Sequence, residues 1–371
     1  MKNKIYLKSL SLFIIISALF LISCSNSNDD PNIYEEKITA YVDSIYNNHN
    51  FNLPAMIVYV KDSNKKINLL HSKGYTNLEN LTTYQTNQLF SIGSNTKTFT
   101  VMTFLELIQE GILNPETVLS EYYPEIENAD SIKLKYLANM SSGIPNYTDN
   151  MHFLLNYLLA NFGTSLDFQQ ILDYINQEDF LFAPGTDYYY SNTNTRILSN
   201  IIEQVTGNTI KYEIENRFIN KLGLHNTYYP DSPGMPSSDY VYGYEDLEDD
   251  GIMDDYSGVY DPSVFGSAGC MISNIYDMEK WVKYIANGGS LSEDILQLRE
   301  EGVYSDTDYL TYKMGFAEVN GWIGHTGGVP GYSTLILHNP TLDNTIIIIQ
   351  NSLLFSYPNW DLFEGIVDII Y

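Results

Sequence analysis

Strand-like runs near both chain ends, with a long helical pattern between them, constrain the fold of this chain more than any other feature. Pro54 to Val60 and Lys66 to His71 are rich in β-branched and apolar residues, and the polar stretch Lys61-Asp62-Ser63-Asn64-Lys65 between them predicts a hairpin. Near the other end, Tyr332 to His338 and Thr345 to Gln350 flank a polar Asn339-to-Asn344 turn. Helical spacing lies outside both pairs. Ile33 to Asn47 sets Ile38, Tyr41, Val42 and Ile45 on one face, and Trp360 to Ile370 does the same with Leu362, Ile366 and Ile369. Residues from about 115 to 285 read mostly as helices joined by long loops. This order predicts an α+β fold: one antiparallel sheet built from both chain ends and flanked by helices, with a largely helical lobe inserted between. The functional cleft is expected between sheet and lobe.

The N-terminus predicts an address. Lys2, Lys4 and Lys8 precede an uncharged apolar run, Leu10 to Ile22, which is too short to span a bilayer and has the length of a signal-peptide core. The run ends in Leu21-Ile22-Ser23-Cys24, which resembles a bacterial lipobox. That resemblance implies removal of residues 1–23, lipidation of Cys24 and a membrane-anchored lipoprotein of the bacterial cell envelope. Residues 24–32 are polar and read as a flexible tether, which leaves 33–371 as one folded domain. Cys270 is the one other cysteine and is expected to be a small buried apolar residue. A formal net charge of −27, more negative still without the signal lysines, argues against nucleic acid or an anionic membrane surface as partner.

Ser94-Asn95-Thr96-Lys97 carries the first chemical signal. It opens a periodic run in which Val101, Phe104, Leu105, Ile108 and Ile112 form a stripe, with Gly111 at its end. Three residues make almost one helical turn, so the Ser94 hydroxyl and the Lys97 amine share a face. Serine is a nucleophile when a base removes its proton, and burial lowers a lysine pKa in the direction that makes it such a base. A second Ser-x-x-Lys, Ser63 to Lys66, sits in the exposed hairpin turn and opens no helix.

Two further motifs follow. Pro184-Gly185 precedes Tyr190-Ser191-Asn192, in which a phenol can pass a proton and an amide can hold a lysine and a substrate carbonyl together. Gly324-His325-Thr326-Gly327-Gly328 ends a strand candidate at 320–324 and precedes another, and its small residues let a substrate backbone approach. The three motifs occur in this order at intervals of roughly 90 and 130 residues.

As a set, they resemble the serine β-lactamase-like family, which includes class C β-lactamases, D-alanyl-D-alanine carboxypeptidases, D-aminopeptidases and related esterases. Phe90-Ser91-Ile92-Gly93, Ser141-Ser142-Gly143-Ile144-Pro145, Leu222 to Thr227, Ser267-Ala268-Gly269 and Ile272-Ser273 add to the likeness, which spans about residues 35 to 355. The resemblance implies that Ser94 is the acylated nucleophile and that Lys97 and Tyr190 share acid–base work. It implies that Asn192, His325, Thr326 and Gly327 bind substrate, and that the backbone N–H groups of Ser94 and Gly328 form an oxyanion hole. No metal or cofactor is implied, and the partner is a small peptide, β-lactam or ester.

One departure bears on substrate. Where the family's strand motif usually starts with lysine, this chain has His325, mostly neutral at pH 7. A carboxypeptidase or esterase is therefore expected ahead of a class C-type β-lactamase. A non-catalytic surface binding protein is the rival of another class, opposed by the complete residue set. Glu245 to Asp255 invites a calcium reading, but Ser257 stands where a bidentate glutamate is needed, so a solvated acidic loop near the cleft is expected. No His-Glu-x-x-His, P-loop, Cys-x-x-Cys or Gly-x-Ser-x-Gly motif is present.

Overall fold

The computed structural model describes residues 31–371 apart from 49–52, 159–162, 249, 305–309 and 355. The signal segment and Cys24 lie outside the described residues.

The sheet is built from both chain ends. Its strands are β1 (Ala55–Asp62), β2 (Ile67–Gly74), β3 (Val303–Tyr304), β4 (Thr311–Tyr312), β5 (Ala317–Val319), β6 (Trp322–Val329), β7 (Tyr332–Asn339) and β8 (Asn344–Gln350). They lie in the order β2-β1-β8-β7-β6-β5-β4-β3, and every neighbouring pair is antiparallel. The N-terminal hairpin closes onto the last strand, with Val58 opposite Ile348. Side chains alternate between faces with a period of two. Ile57, Tyr59, Ile347 and Ile349 enter one core, and Met56, Val58, Ile346 and Ile348 the other. A sheet covered on both sides reads as continuous apolar runs, as Ile346 to Ile349 does.

Helices α1 (Pro31–Asn48) and, at the other end of the chain, Asn359–Ile370 pack together over the second face, burying Ile38, Val42, Leu362 and Ile366. The first is described from Pro31, so it includes two residues ahead of the expected start. Over the first face lies α2 (Thr96–Gln109), followed by a lobe whose longer helices are α3 (Asn192–Thr206) and α4 (Ile275–Ala286).

Helix α2 differs from its expected one-sided stripe. Thr96 to Leu107 are all buried, because the helix is enclosed by sheet and lobe; Ile112, past the turn at Gly111, is 48% exposed. The acidic segment also differs. Glu245 and Asp246 are buried, and Asp246 closes its own turn by accepting from the Asp250 and Gly251 N–H groups at 3.0 and 2.8 Å. Only its distal part, including Asp254 and Asp255, is exposed. Cys270 is buried as expected, and burial pushes its thiol up to about 12.

Candidate active site

Ser94 sits in a single 3₁₀ turn, Gly93–Asn95, that leads into α2. Backbone bonds alone would not hold so short a turn, and side chains tie it down. Asn95 Nδ2 donates to the Ile92 carbonyl and to Thr334 Oγ1 on β7, both at 3.1 Å. Thr96 Oγ1 donates to the Gly93 carbonyl at 2.7 Å and accepts from Met271 N–H at 3.1 Å. The nucleophile candidate thus stands at the N-terminal end of a fixed helix, where unpaired N–H groups favour negative charge.

Lys97 is fully buried. Its Nζ lies 2.9 Å from Ser94 Oγ, 2.7 Å from Asn192 Oδ1 and 2.7 Å from the Ala268 carbonyl oxygen. The last two partners can only accept, so the amine donates to both. Its remaining position faces Ser94. Burial lowers the Lys97 pKa well below the usual lysine value. In the neutral amine that remaining position is a lone pair, into which Ser94 donates its proton.

Tyr190 and Asn192 arrive from the start of α3. The Asn192 amide is fixed from both ends: Nδ2 donates to Thr148 Oγ1 at 3.0 Å while Oδ1 accepts from Lys97. Its backbone N–H donates to Asn146 Oδ1 at 3.0 Å. The Tyr190 ring lies 4.9 Å from Lys97 Nζ. Its hydroxyl is buried without a hydrogen bond of normal geometry. Burial raises its pKa strongly, and nearby Ser94 offsets only part of that rise. The phenol is therefore neutral over any working pH.

The third motif lies inside β6, which runs on to Val329 instead of ending at Gly324 as expected. The backbone of His325, Thr326 and Gly327 pairs continuously with β7, whereas on its other side β6 pairs with β5 only over Trp322 to Gly324. The glycines belong to the strand because the turn before Ser94 presses on it. A Cβ on Gly93 (φ +52°) would fall 2.8 Å from the Gly328 nitrogen, and one on Gly327 would fall 2.2 Å from the Ile92 oxygen. These contacts bring the Gly328 nitrogen beside the residue preceding Ser94. Gly327→Ala is expected to separate turn and strand. It should cost about 1–3 kcal/mol of stability and at least a tenfold loss of kcat/KM; thermal melts and kinetics both at wild-type values would refute this close approach.

His325 is 3% exposed. Its Nδ1 donates to the Thr326 carbonyl, which fixes the tautomer, and Nε2 accepts from Tyr312 Oη at 3.1 Å. Burial, with Lys97 nearby, pushes its pKa down to about 3, so the ring is neutral. Its ring centroid is 5.9 Å from that of Tyr190. Ser94, Lys97, Tyr190, Asn192, His325 and Gly328 are thus brought close together by the fold. Tyr312, Asn146 and Thr148 were not anticipated. The Ser141-to-Pro145 motif marks the segment just before Asn146 and Thr148, while no local pattern marks Tyr312. Among the described residues, no group of three His, Cys, Asp or Glu side chains could hold a metal ion.

Comparison with known proteins agrees with this fold. The family model described as Beta-lactamase matches residues 42–359. Protein flp of Staphylococcus aureus (strain N315) is 24% identical over 309 residues, which cover 80% of this chain and 59% of that protein. Penicillin-binding protein 4* of Bacillus subtilis (strain 168) is 24% identical over 309 residues, covering 76% of this chain and 64% of that protein. The chain therefore spans less than two thirds of either relative's length. A crystal structure of a D-stereospecific amidohydrolase from Streptomyces sp. shares the fold, with a TM-score of 0.79 at 22% identity over 91% of this chain and 98% of that one. A family match of this extent, on a fold shared almost end to end with a solved structure, places the chain in the Beta-lactamase family.

Proposed function

We propose that the chain is a serine hydrolase that forms a covalent acyl-enzyme on a small amide or ester. The observation that carries this reading is the Lys97 amine, buried, held by two obligate acceptors and aimed at Ser94 Oγ. In the proposed mechanism Lys97 takes the Ser94 proton as Oγ attacks the substrate carbonyl. The negative oxygen that develops is met by the Ser94 and Gly328 N–H groups, assisted by the helix terminus. Tyr190, a neutral phenol beside Ser94, relays a proton to the departing nitrogen or oxygen. The bond to the leaving group breaks and an ester on Ser94 remains. Water then attacks with the same groups acting in reverse. Asn192 holds Lys97, while Thr326 and Gly327 offer the substrate a strand edge.

Small D-configured amides are the favoured substrates, on the name of the Streptomyces structural neighbour. The test is hydrolysis of D- and L-phenylalanine amide beside a Ser94→Ala control, with ammonia release as the readout. Faster, Ser94-dependent release from the D-isomer supports the reading, and equal release from both isomers overturns the stereochemical preference. The family match favours a second reading, a β-lactamase, which rapid Ser94-dependent hydrolysis of benzylpenicillin would establish instead. Anchoring in the bacterial cell envelope through Cys24 is also proposed, on the residues of the N-terminal segment alone.

A further inference from the structure

The walls of the cleft bear on the charge of its substrate. Leu353 follows β8 and is 37% exposed. A Cβ on Gly328 would fall 3.0 Å from Leu353 Cδ1, so this side chain lies directly over Gly328, beside the turn that carries Ser94. Its position is built in. The buried Glu245 carboxylate accepts from the N–H groups of Gly331, Leu353 and Leu354 at 2.8, 2.7 and 3.2 Å, and from Ser352 Oγ at 3.0 Å. Four donors on one carboxylate hold this apolar turn against the end of β6.

Among the described residues, no free cation stands near. Lys97 has all its positions taken. Lys313, next to Tyr312, is tied to Glu300 and Glu318. Arg196, one turn along α3 from Asn192, donates instead to the Ser263 carbonyl at 2.8 Å, in a separate pocket behind the Gly266–Ala268 turn. His325 has both nitrogens engaged, with Tyr312 and Thr326. An exposed carboxylate, Asp149, lies one residue from Thr148, which holds Asn192, and takes a hydrogen bond from the Tyr189 hydroxyl at 2.6 Å. The chain as a whole carries a net charge of −27, which repels anions. A substrate carboxylate would lose its water here and meet no cation in return, which is costly.

We infer that this cleft takes carboxylate-free substrates, neutral or cationic amides and esters, with Leu353 as the apolar wall that selects an uncharged group beside the scissile bond. This rests on the serine-hydrolase reading and narrows its substrate class. It turns the expectation away from carboxypeptidase chemistry, whose substrates end in a carboxylate.

The test uses two matched aryl esters of phenylacetic acid. One has 3-hydroxybenzoic acid as its leaving group, and the other has methyl 3-hydroxybenzoate. Acyl groups are identical, and only the charge differs. Phenol release is followed for the wild type, Ser94→Ala and Leu353→Arg. The wild type is expected to favour the neutral ester at least tenfold in kcat/KM. Leu353→Arg, a change at a partly exposed position, should raise kcat/KM for the charged ester about tenfold and lower it for the neutral one. Ser94-dependent release that is equal for both esters, or faster for the charged one, overturns this inference and leaves the hydrolase reading standing. Release from neither ester above the Ser94→Ala level overturns the hydrolase reading, and this inference with it.

Discussion

Replacing Ser94 by alanine is expected to lower turnover of an activated ester by at least about 10⁴-fold with the fold unchanged. The hydroxyl's hydrogen bond of normal geometry is to Lys97, with the Tyr190 phenol beside it, and the turn around it is held by Asn95 and Thr96. Loss of Oγ therefore removes the nucleophile and leaves the scaffold intact. Binding and residual polarisation by the N–H groups would persist, so the variant should still bind substrate. The measurement is steady-state hydrolysis beside circular dichroism and thermal melts. Retained turnover in a folded Ser94→Ala protein would refute the covalent mechanism.

The second large effect concerns Lys97. As base it works only when neutral, so kcat/KM should rise with pH and reach its plateau well below the usual lysine range, because burial has lowered the pKa. His325 does not contribute to this acid limb, since its ring stays neutral down to about pH 3. Lys97→Arg keeps a positive charge at every pH and cannot accept a proton. It should lose roughly 10²–10⁴-fold in rate and show no acid limb at all. Stability follows the same group with a definite sign. Between the lowered native pKa and the unfolded value, the unfolded chain binds a proton that the native state does not, so this group's contribution to stability rises with pH across that window. A kcat/KM profile still climbing toward pH 10 would show that Lys97 is charged at neutrality and does not serve as the base.

The sheet was legible at both ends of the chain because β1, β7 and β8 are seven or eight residues long and strongly apolar. The three short strands between 303 and 319 were not, since two or three residues carry no readable period. Local spacing alone placed Lys97 beside Ser94, and the Tyr-x-Asn motif anticipated an amide holding that lysine, whereas the meeting of the Ala268 carbonyl with Lys97 needed the fold. The His325 motif was found but misplaced. Its strand was read as ending at Gly324 and its small residues as room for a substrate backbone, and the contact with Ile92 and Gly93 gives those glycines a further reason. Glu245 was taken for a solvated acid because the residues after it are acidic, yet the donors it satisfies lie more than eighty residues away along the chain. Tyr312 is set against His325 by the hairpin of β4 and β5, so no motif announces it.

The most direct test of the central claim is the site of covalent modification. Wild-type protein would be treated with a fluorophosphonate at neutral pH, weighed intact and digested for peptide mapping. The account predicts one adduct, on Ser94, that forms faster as Lys97 loses its proton and is absent from Ser94→Ala. No adduct on the folded protein, or an adduct on another residue, would contradict it.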